Sequence, residues 1–451
     1  MRKKKNVEEE VQQPQVAYRS IGEITEEAYE LYGGYVSTSR ALPRLDGFKP
    51  ALSRIIWSAM QFPKGKMQSA LDIISTVTRY SPHGVANLDL TLSHLKRSGL
   101  LSGEGYFGFT SIEGVPFSNA SPRYLHAMLS PTYWNMWEDV VDPKFIRFHI
   151  SPNGGEEPDY FPTPIPCCLF MPISTTGISV GVKTDIPSFS AKSILAAYKA
   201  NDPNLLESSV DLIIDKENSE LERLWNTGKG RVIYVYKISR QKSPDGRSEG
   251  ILFESATDTS TEIFTPNLKK FSKLIEEGKV YTEDLTDDQG PKLFIGRVPG
   301  ARGITVDDIE EIAKKVCYSA KEYQVWITDG VKAFRTPIKD WVDYTYKNYI
   351  ELIERVNQYK IDHIIFQIDV QKALPIISDY ILNKNPKASD SEIIKVLGIP
   401  ENVVKEVMTK PISWLRKNKD TSERVKALKT KLKELKSFNA INYTDQLIEK
   451  L

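Results

Sequence analysis

From Ile338 onward, apolar residues recur at roughly three-and-four spacing: Ile338, Trp341, Val342, Tyr349, Leu352, Ile353, Val356, Ile364, Ile365 and Ile368. That spacing describes one face of a single helix. Thr336-Pro337 supplies its start, and Pro375 predicts a break or kink after Leu374. Counted from Pro337 to Leu374 the helix has 38 residues, about 57 Å at the helical rise. A helix of that length in a soluble chain needs a partner along it. Downstream, Ser389-x-x-Glu392 reads as a capping box, Gly398 as a stop and Pro400 as a restart. Asp420-x-x-Glu423 then caps a helix carrying Val425, Leu428, Leu432 and Leu435, the alternation of a returning coiled-coil partner. The prediction is an arm: a long helix out, a small helical tip and a helix back.

The remaining length allows further domains, since 451 residues suit two to four. Residues 1–20 are charged and Gln-rich without apolar period and read as a disordered tail. Helices are expected from Glu23 to Ser37, after Pro50 (with Leu52, Ile55, Ile56 and Ala59 on one face), from Gln68 to Thr78 and from Ala86 to Lys96. With the glycine-rich turn Gly103-Glu104-Gly105-Tyr106-Phe107-Gly108 they suggest a helix-turn-helix module with a wing over 21–165. Residues 166–335 alternate β-rich runs, such as Arg231–Lys237 and Tyr323–Thr328, with the helical segment Val306–Val316, and read as an α/β domain. Residues 336–451 are the arm. The whole is expected to be an α+β multidomain protein.

Three cysteines (Cys167, Cys168, Cys317) cannot make a disulfide framework and read as buried residues of a reducing compartment. Five scattered histidines form no metal motif. No apolar run reaches the ~18 residues of a bilayer span, and the basic stretch Met1–Lys5 has no apolar region behind it, so a cytoplasmic protein without membrane contact is expected. Net charge is +1, but Arg40, Arg44, Lys49, Arg54, Lys64 and Lys66 stand against Asp46 alone between Thr38 and Lys66. Such a local excess suits a phosphate backbone, or is simply a solvated basic face.

The stretch with the most chemistry is Ala120-Ser121-Pro122-Arg123-Tyr124-Leu125-His126-Ala127-Met128-Leu129-Ser130-Pro131. A tyrosine can attack a phosphodiester and hold the cut strand as a phosphotyrosine. Its phenol has a pKa near 10, so it needs help at neutral pH. The neighbouring guanidinium of Arg123 can favour the phenolate and carry charge that develops on phosphorus.

Five blocks occur in a fixed order: Tyr29–Arg40 with Ala41-Leu42-Pro43 and Asp46-Gly47-Phe48-Lys49-Pro50; Tyr80-Ser81-Pro82-His83-Gly84; Gly103–Gly108; Ala120–Pro131; and Pro166–Pro187 with Gly177-Ile178-Ser179-Val180-Gly181. A weaker sixth is Thr227–Val232. Together they resemble the breakage-reunion subunit of type IIA DNA topoisomerases: the gyrase A and topoisomerase IV A class, the central part of the eukaryotic enzyme and the medium subunit of split bacteriophage enzymes. The segment around Tyr124 is closest to the eukaryotic and phage form, which makes a bacteriophage source, and hence a host cytoplasm, an expectation.

The resemblance implies roles residue by residue. Tyr124 would be the nucleophile, Arg123 its electrostatic partner and His83 a phosphate contact or proton relay; Ser81 stands where the family usually has another histidine. Arg40, Lys49 and Arg54 would hold DNA near the cut, and Ile178 would wedge between base steps and bend the duplex. Ala86 replaces a serine that helps bacterial members hold quinolone drugs, so weak quinolone sensitivity is expected. No ATPase signature or acidic metal-binding module of the family's Toprim type is present. Mg²⁺ and ATP are therefore expected on a separate ATPase/Toprim subunit, with this chain a homodimer through its C-terminal gate on double-stranded DNA. The competing readings are an architectural DNA-binding protein that lost its chemistry, a transesterase that cuts without passing strands, and a coiled-coil scaffold.

Overall fold

In a computed structural model of the chain the described residues are 19–81, 88–110, 116–172, 175–209, 212–254, 269–287, 292–411, 414–415 and 421–451. The expected tail lies almost wholly outside them. Helix α1 (Ile21–Val36) opens on a capping box, in which the Ser20 hydroxyl accepts from the Glu23 N–H at 3.1 Å and the Glu23 carboxylate from the Ser20 N–H at 2.9 Å. It starts two residues before the expected Glu23, and past Val36 the helix continues as a π-helical turn, Ser37–Ala41, beyond the expected end at Ser37. Helix α2 (Pro50–Met60) starts on its proline and buries Leu52, Ile55, Ile56 and Ala59. The helix expected from Gln68 is split: Gln68–Ser69 is a short strand, β1, and α3 covers Ala70–Val77. The Ser69 hydroxyl accepts from the Leu71 N–H and so starts α3 two residues late.

Helix α4 (Leu88–Arg97) leads into β2 (Leu101–Glu104), the hairpin β3 (Phe109–Thr110) and β4 (Pro116–Phe117), and β5 (His126–Leu129). Strands β1, β5 and β2 form an antiparallel sheet in that order; β5 pairs Ala127 with both Gln68 and Gly103. This pairing is what pulled Gln68 out of the helix. After α5 (Pro131–Trp137) comes the hairpin β6 (Phe148–Ile150) and β7 (Glu156–Pro158). Trp137 locks the module together: its ring lies 4.7 Å from that of Phe161 and 6.0 Å from that of Phe48, and its indole N–H donates to the Pro162 carbonyl.

The middle of the chain contains β8 (Thr175–Ser179), β9 (Val182–Ile186), α6 (Ala191–Ala200), β10 (Ile213–Ile214), α7 (Leu221–Thr227), β11 (Lys229–Val235), β12 (Lys237–Lys242), β13 (Glu249–Glu254), α8 (Ser272–Glu276), β14 (Val280–Asp284), β15 (Lys292–Arg297), α9 (Val306–Val316), β16 (Tyr318–Gln324), β17 (Trp326–Thr328) and β18 (Ala333–Arg335). A five-stranded sheet runs β10-β11-β16-β9-β8 and a four-stranded one β12-β13-β15-β14. Every ladder among the described strands is antiparallel, so helices and strands alternate here without the parallel crossovers an α/β reading suggests. One continuous apolar core runs from Phe48 through these sheets to Ile338–Val356 and Ile448.

The arm is led by α10 (Ile338–Asp379), 42 residues and unbroken at Pro375. A proline inside a helix orphans the carbonyl four residues back, here Gln371. The Thr421 hydroxyl donates to that carbonyl at 2.8 Å, which removes the reason to break. A π-helical turn (Tyr380–Lys384), α11 (Asp390–Leu397) and α12 (Glu401–Met408) close the tip around a second, separate core that includes Leu374, Ile377, Ile393, Val404 and Val407. At α11 the Ser389 hydroxyl accepts from the Glu392 N–H, but the Glu392 carboxylate turns to Asn385, so the box is half formed; Gly398 ends the helix at φ 66°. Helix α13 (Ser422–Lys436) returns along α10 with Val425, Leu428, Leu432 and Leu435 half-buried. Asp420 lies outside the described residues, and the residue before α13 is Thr421, whose hydroxyl is engaged by Gln371 rather than by its own helix. A last helix the sequence pattern did not announce, α14 (Ala440–Ile448), rejoins the main core, where Asp445 accepts from Tyr346 at 2.7 Å.

Candidate functional site

Tyr124 ends a single 3₁₀ turn, Pro122–Tyr124, whose proline presets the backbone. The Tyr124 N–H donates to the Ser121 carbonyl at 2.8 Å and the Leu125 N–H to Pro122 at 3.2 Å. Leu125 is buried, and its carbonyl accepts from Ala70 at the start of α3. On the other side Gly105, at φ +108°, lets the glycine-rich turn cross so closely that a Cβ would sit 3.0 Å from the Tyr124 carbonyl oxygen and 2.8 Å from Leu125. The backbone is thus held from both sides while the Tyr124 side chain is 68% exposed. The Arg123 guanidinium carbon lies 5.9 Å from the Tyr124 ring centroid. The guanidinium also makes a long hydrogen bond to Ser121 at 3.4 Å, and meets no carboxylate among the described residues. A fixed, exposed phenol beside such a cation is suited to receive an external anion. His83 and Ala86 lie outside the described residues.

A second group gathers where the end of α1 meets the β8–β9 hairpin. Arg40 is exposed on the π-helical turn, and Ile178 is 75% exposed on β8. Along β8, Thr175 and Gly177 face inward while Thr176 and Ile178 face out. Gly177 lies flat on the turn: a Cβ there would stand 2.2 Å from the Ala41 carbonyl oxygen. The Ser37 and Ser179 hydroxyls meet at 2.6 Å, and the Lys49 ammonium donates to the Thr176 carbonyl. Burial holds Lys49 below the usual lysine range. Arg40, Lys49 and Ile178 therefore share one surface, with Ile178 its apolar projection.

Arg54 is elsewhere. Its guanidinium forks onto Glu157 of β7, with Nη2 at 3.0 Å and Nε at 3.1 Å, and both side chains are mostly buried. His149 abuts the same carboxylate at 3.2 Å and Asp159 at 2.8 Å. The expected role of Arg54 in holding DNA thus meets a competing structural role, tying α2 to the β6–β7 hairpin. Arg44 sits 3.5 Å from Asp46, whose two oxygens accept from the Phe48 and Phe161 N–H groups, and Lys64 pairs with Glu138 at 2.6 Å. Three of the six cations between Thr38 and Lys66 are neutralised in this way, which reduces the local excess read from sequence.

One group escaped the sequence reading. His94, in the last turn of α4, is half-buried, and burial pushes its pKa down to about 4, with the Arg97 and Lys49 cations adding to the effect. The cluster His94–Lys96–Arg97 was visible as charge at a helix end, but its approach to Lys49 was not. Among the described residues no group of three or more His, Cys, Asp or Glu could hold a metal ion, and no helix is long and apolar enough to cross a membrane.

The family model for the A subunits of DNA gyrase and topoisomerase IV matches residues 40–451. The DNA gyrase A protein of Ureaplasma parvum is 26% identical over 469 aligned positions, covering 95% of this chain and 53% of that protein. The DNA topoisomerase 4 A protein of Streptococcus pneumoniae is 26% identical over 261, covering 52% of this chain and 30% of its own length. That of Borreliella burgdorferi is 28% identical over 224, covering 48% and 34%. Matches thus span from about a third to about half of these relatives. The family match extends over about nine-tenths of the sequence, and the chain belongs to the family of DNA gyrase and topoisomerase IV A subunits.

Proposed function

We propose that this chain is the DNA-cleaving and rejoining subunit of an ATP-dependent type II topoisomerase. The observation that carries the reading is the Arg123–Tyr124 turn: an exposed phenol with a fixed backbone and a guanidinium over its ring, in a chain of this family. The Tyr124 oxygen attacks a backbone phosphorus; the new O–P bond forms as the bond from phosphorus to the 3′ oxygen breaks. The phenol's proton leaves with the 3′ hydroxyl, and the 5′ phosphate stays on Tyr124. Religation is the reverse, and because the phosphodiester energy is retained it needs no ATP. Arg123 stabilises the negative charge that develops on the attacked phosphate. Mg²⁺ carried by the separate ATPase/Toprim protein supplies further electrostatic stabilisation at the phosphate. Arg40 and Lys49 hold the backbone, and Ile178 enters a base step to bend the duplex.

One tyrosine per chain and two strands to cut require two copies, so the assembly is a two-fold dimer, with the α10–α13 arm and its tip as the exit gate. The ATPase/Toprim protein completes it, in a cytoplasmic setting on the nucleoid or, for a phage protein, in the host. The deciding experiment mixes the chain with that protein, supercoiled plasmid, ATP and Mg²⁺. Relaxation is expected, with a nucleotide adduct on Tyr124 after detergent trapping and nuclease digestion. Tyr124→Phe should abolish both while DNA binding persists. An adduct without relaxation would favour a cut-only enzyme; DNA binding with neither would favour an architectural protein.

A further inference from the structure

On the shaft of the arm, α13 carries Lys426, Lys429, Lys433 and Lys436, all exposed. At 100° per residue these four lie on one flank of the seam that Val425, Leu428, Leu432 and Leu435 make with α10. Lys431 points to the opposite flank, and Glu423 and Glu434 to the outer face. The row spans about 15 Å at the helical rise. Its members stand three or four apart, the spacing at which like charges on a helix repel. None of the four has an ion-pair partner among the described residues. Surface helices elsewhere in the molecule behave differently: Lys314 pairs with Glu310, Lys347 with Asp343 and Lys405 with Glu401, each one turn back. In α13 the residues one turn before Lys429, Lys433 and Lys436 are Val425, Lys429 and Leu432, so none of the three meets the carboxylate that other helices supply there.

The row also has a definite place. Thr421 on Gln371 fixes one end of α13 against α10, and Asn357 donating to the Leu435 carbonyl at 3.0 Å fixes the other. It therefore lies between the two hydrophobic cores, on an element separate from the Tyr124 turn. We propose that this lysine row is a docking track for a second DNA duplex, the one that has been passed through the break. This rests on the strand-passage reading above. A uniform row of point charges with no apolar side chain in it matches a phosphate backbone, with one charge per 3.4 Å of strand. It lacks the buried anchor that an acidic protein partner would need. Contacts of this kind hold weakly and without sequence preference, as a duplex in transit requires.

The test is lysine acetylation of the chain assembled with its ATPase/Toprim protein, with and without saturating duplex DNA, read by mass spectrometry. DNA should protect Lys426, Lys429, Lys433 and Lys436 while Lys431 stays reactive. Equal acetylation with and without DNA, or equal protection by polyglutamate, overturns the proposal. A second arm uses K426Q/K429Q/K433Q/K436Q, which leaves the seam intact. The Tyr124 adduct should form within about twofold of the parent, while ATP-dependent relaxation at low salt falls at least about fivefold, the gap to the parent narrowing as salt rises because fewer phosphate contacts remain to be screened. Relaxation unchanged at every salt concentration sinks the track. The two readings fail separately: an adduct with an unprotected row removes only the track. A protected row with no adduct supports DNA on the arm and removes the cleavage reading.

Discussion

Two sets of cations a few residues apart in sequence end up in opposite circumstances. Arg40 and Lys49 reach the surface that carries Ile178, and neither meets a carboxylate among the described residues. Arg44 and Arg54 turn inward to Asp46 and Glu157. The difference is set by helical phase and, for Arg54, by an acid 103 residues along the chain. Arg54 lies on α2 one turn beyond Pro50, aimed at β7, whereas Arg40 sits exposed on a π-helical turn. A basic run is therefore a poor map of a phosphate site; what matters is which charges the fold leaves unpaired.

Removing one side of the inward set should have the largest effect on stability. Glu157→Ala strands a mostly buried guanidinium and should cost about 3 kcal/mol in urea unfolding. Replacing both partners, Arg54→Met with Glu157→Leu, should recover much of that. If the single change costs nothing, the pairing is not structural and Arg54 returns to the DNA-facing set. Gly177→Ala probes the joint under Ile178. With the Ala41 oxygen in the way the hairpin must shift, at about 1–3 kcal/mol, and duplex bending measured by fluorescence transfer should fall as it does in Ile178→Ala. Bending unchanged in both variants would remove the wedge.

Smaller effects sharpen the contrast. Arg40→Gln should weaken DNA binding uniformly across sequences and lower the salt slope by about one, whereas Arg54→Gln should leave the slope unchanged. Equal slopes for the two would erase the distinction drawn between them. The smallest is a pH effect at His94. Its folded pKa, about 4, lies below the 6.5 of a free imidazole, so the unfolded chain binds the extra proton. Its contribution is present above about pH 6.5 and is lost as pH falls toward 4. His94→Asn should flatten that part of the stability profile, and an unchanged profile would place His94 in water.

Much was legible in advance because it was local. The arm could be read from spacing, since a 3.6-residue period with capping serines and a terminal glycine depends only on neighbours. The adjacency of Arg123 and Tyr124 was likewise legible, because neighbouring residues need no tertiary structure to be adjacent. Pro375 shows the limit. Local rules require a break, and the helix continues because a hydroxyl 50 residues along the chain from Gln371 meets the orphaned carbonyl. Gln68 shows the same limit in a strand, since its pairing partner Ala127 lies far along the chain.

The sequence by itself determined the periodic faces, several of the helix starts and stops, the adjacency of Arg123 and Tyr124 and the kinship that five ordered blocks imply. Tertiary structure alone decided which of six cations stay unpaired, that Gly105 crosses the Tyr124 carbonyl, that Ile178 projects beside Arg40 and that α14 returns to the main core. The physical reason is range. Helical phase and capping act within a turn or two of the chain, whereas ion pairs, strand register and close packing join residues up to about 300 positions apart, as Trp341 on the Leu45 carbonyl shows.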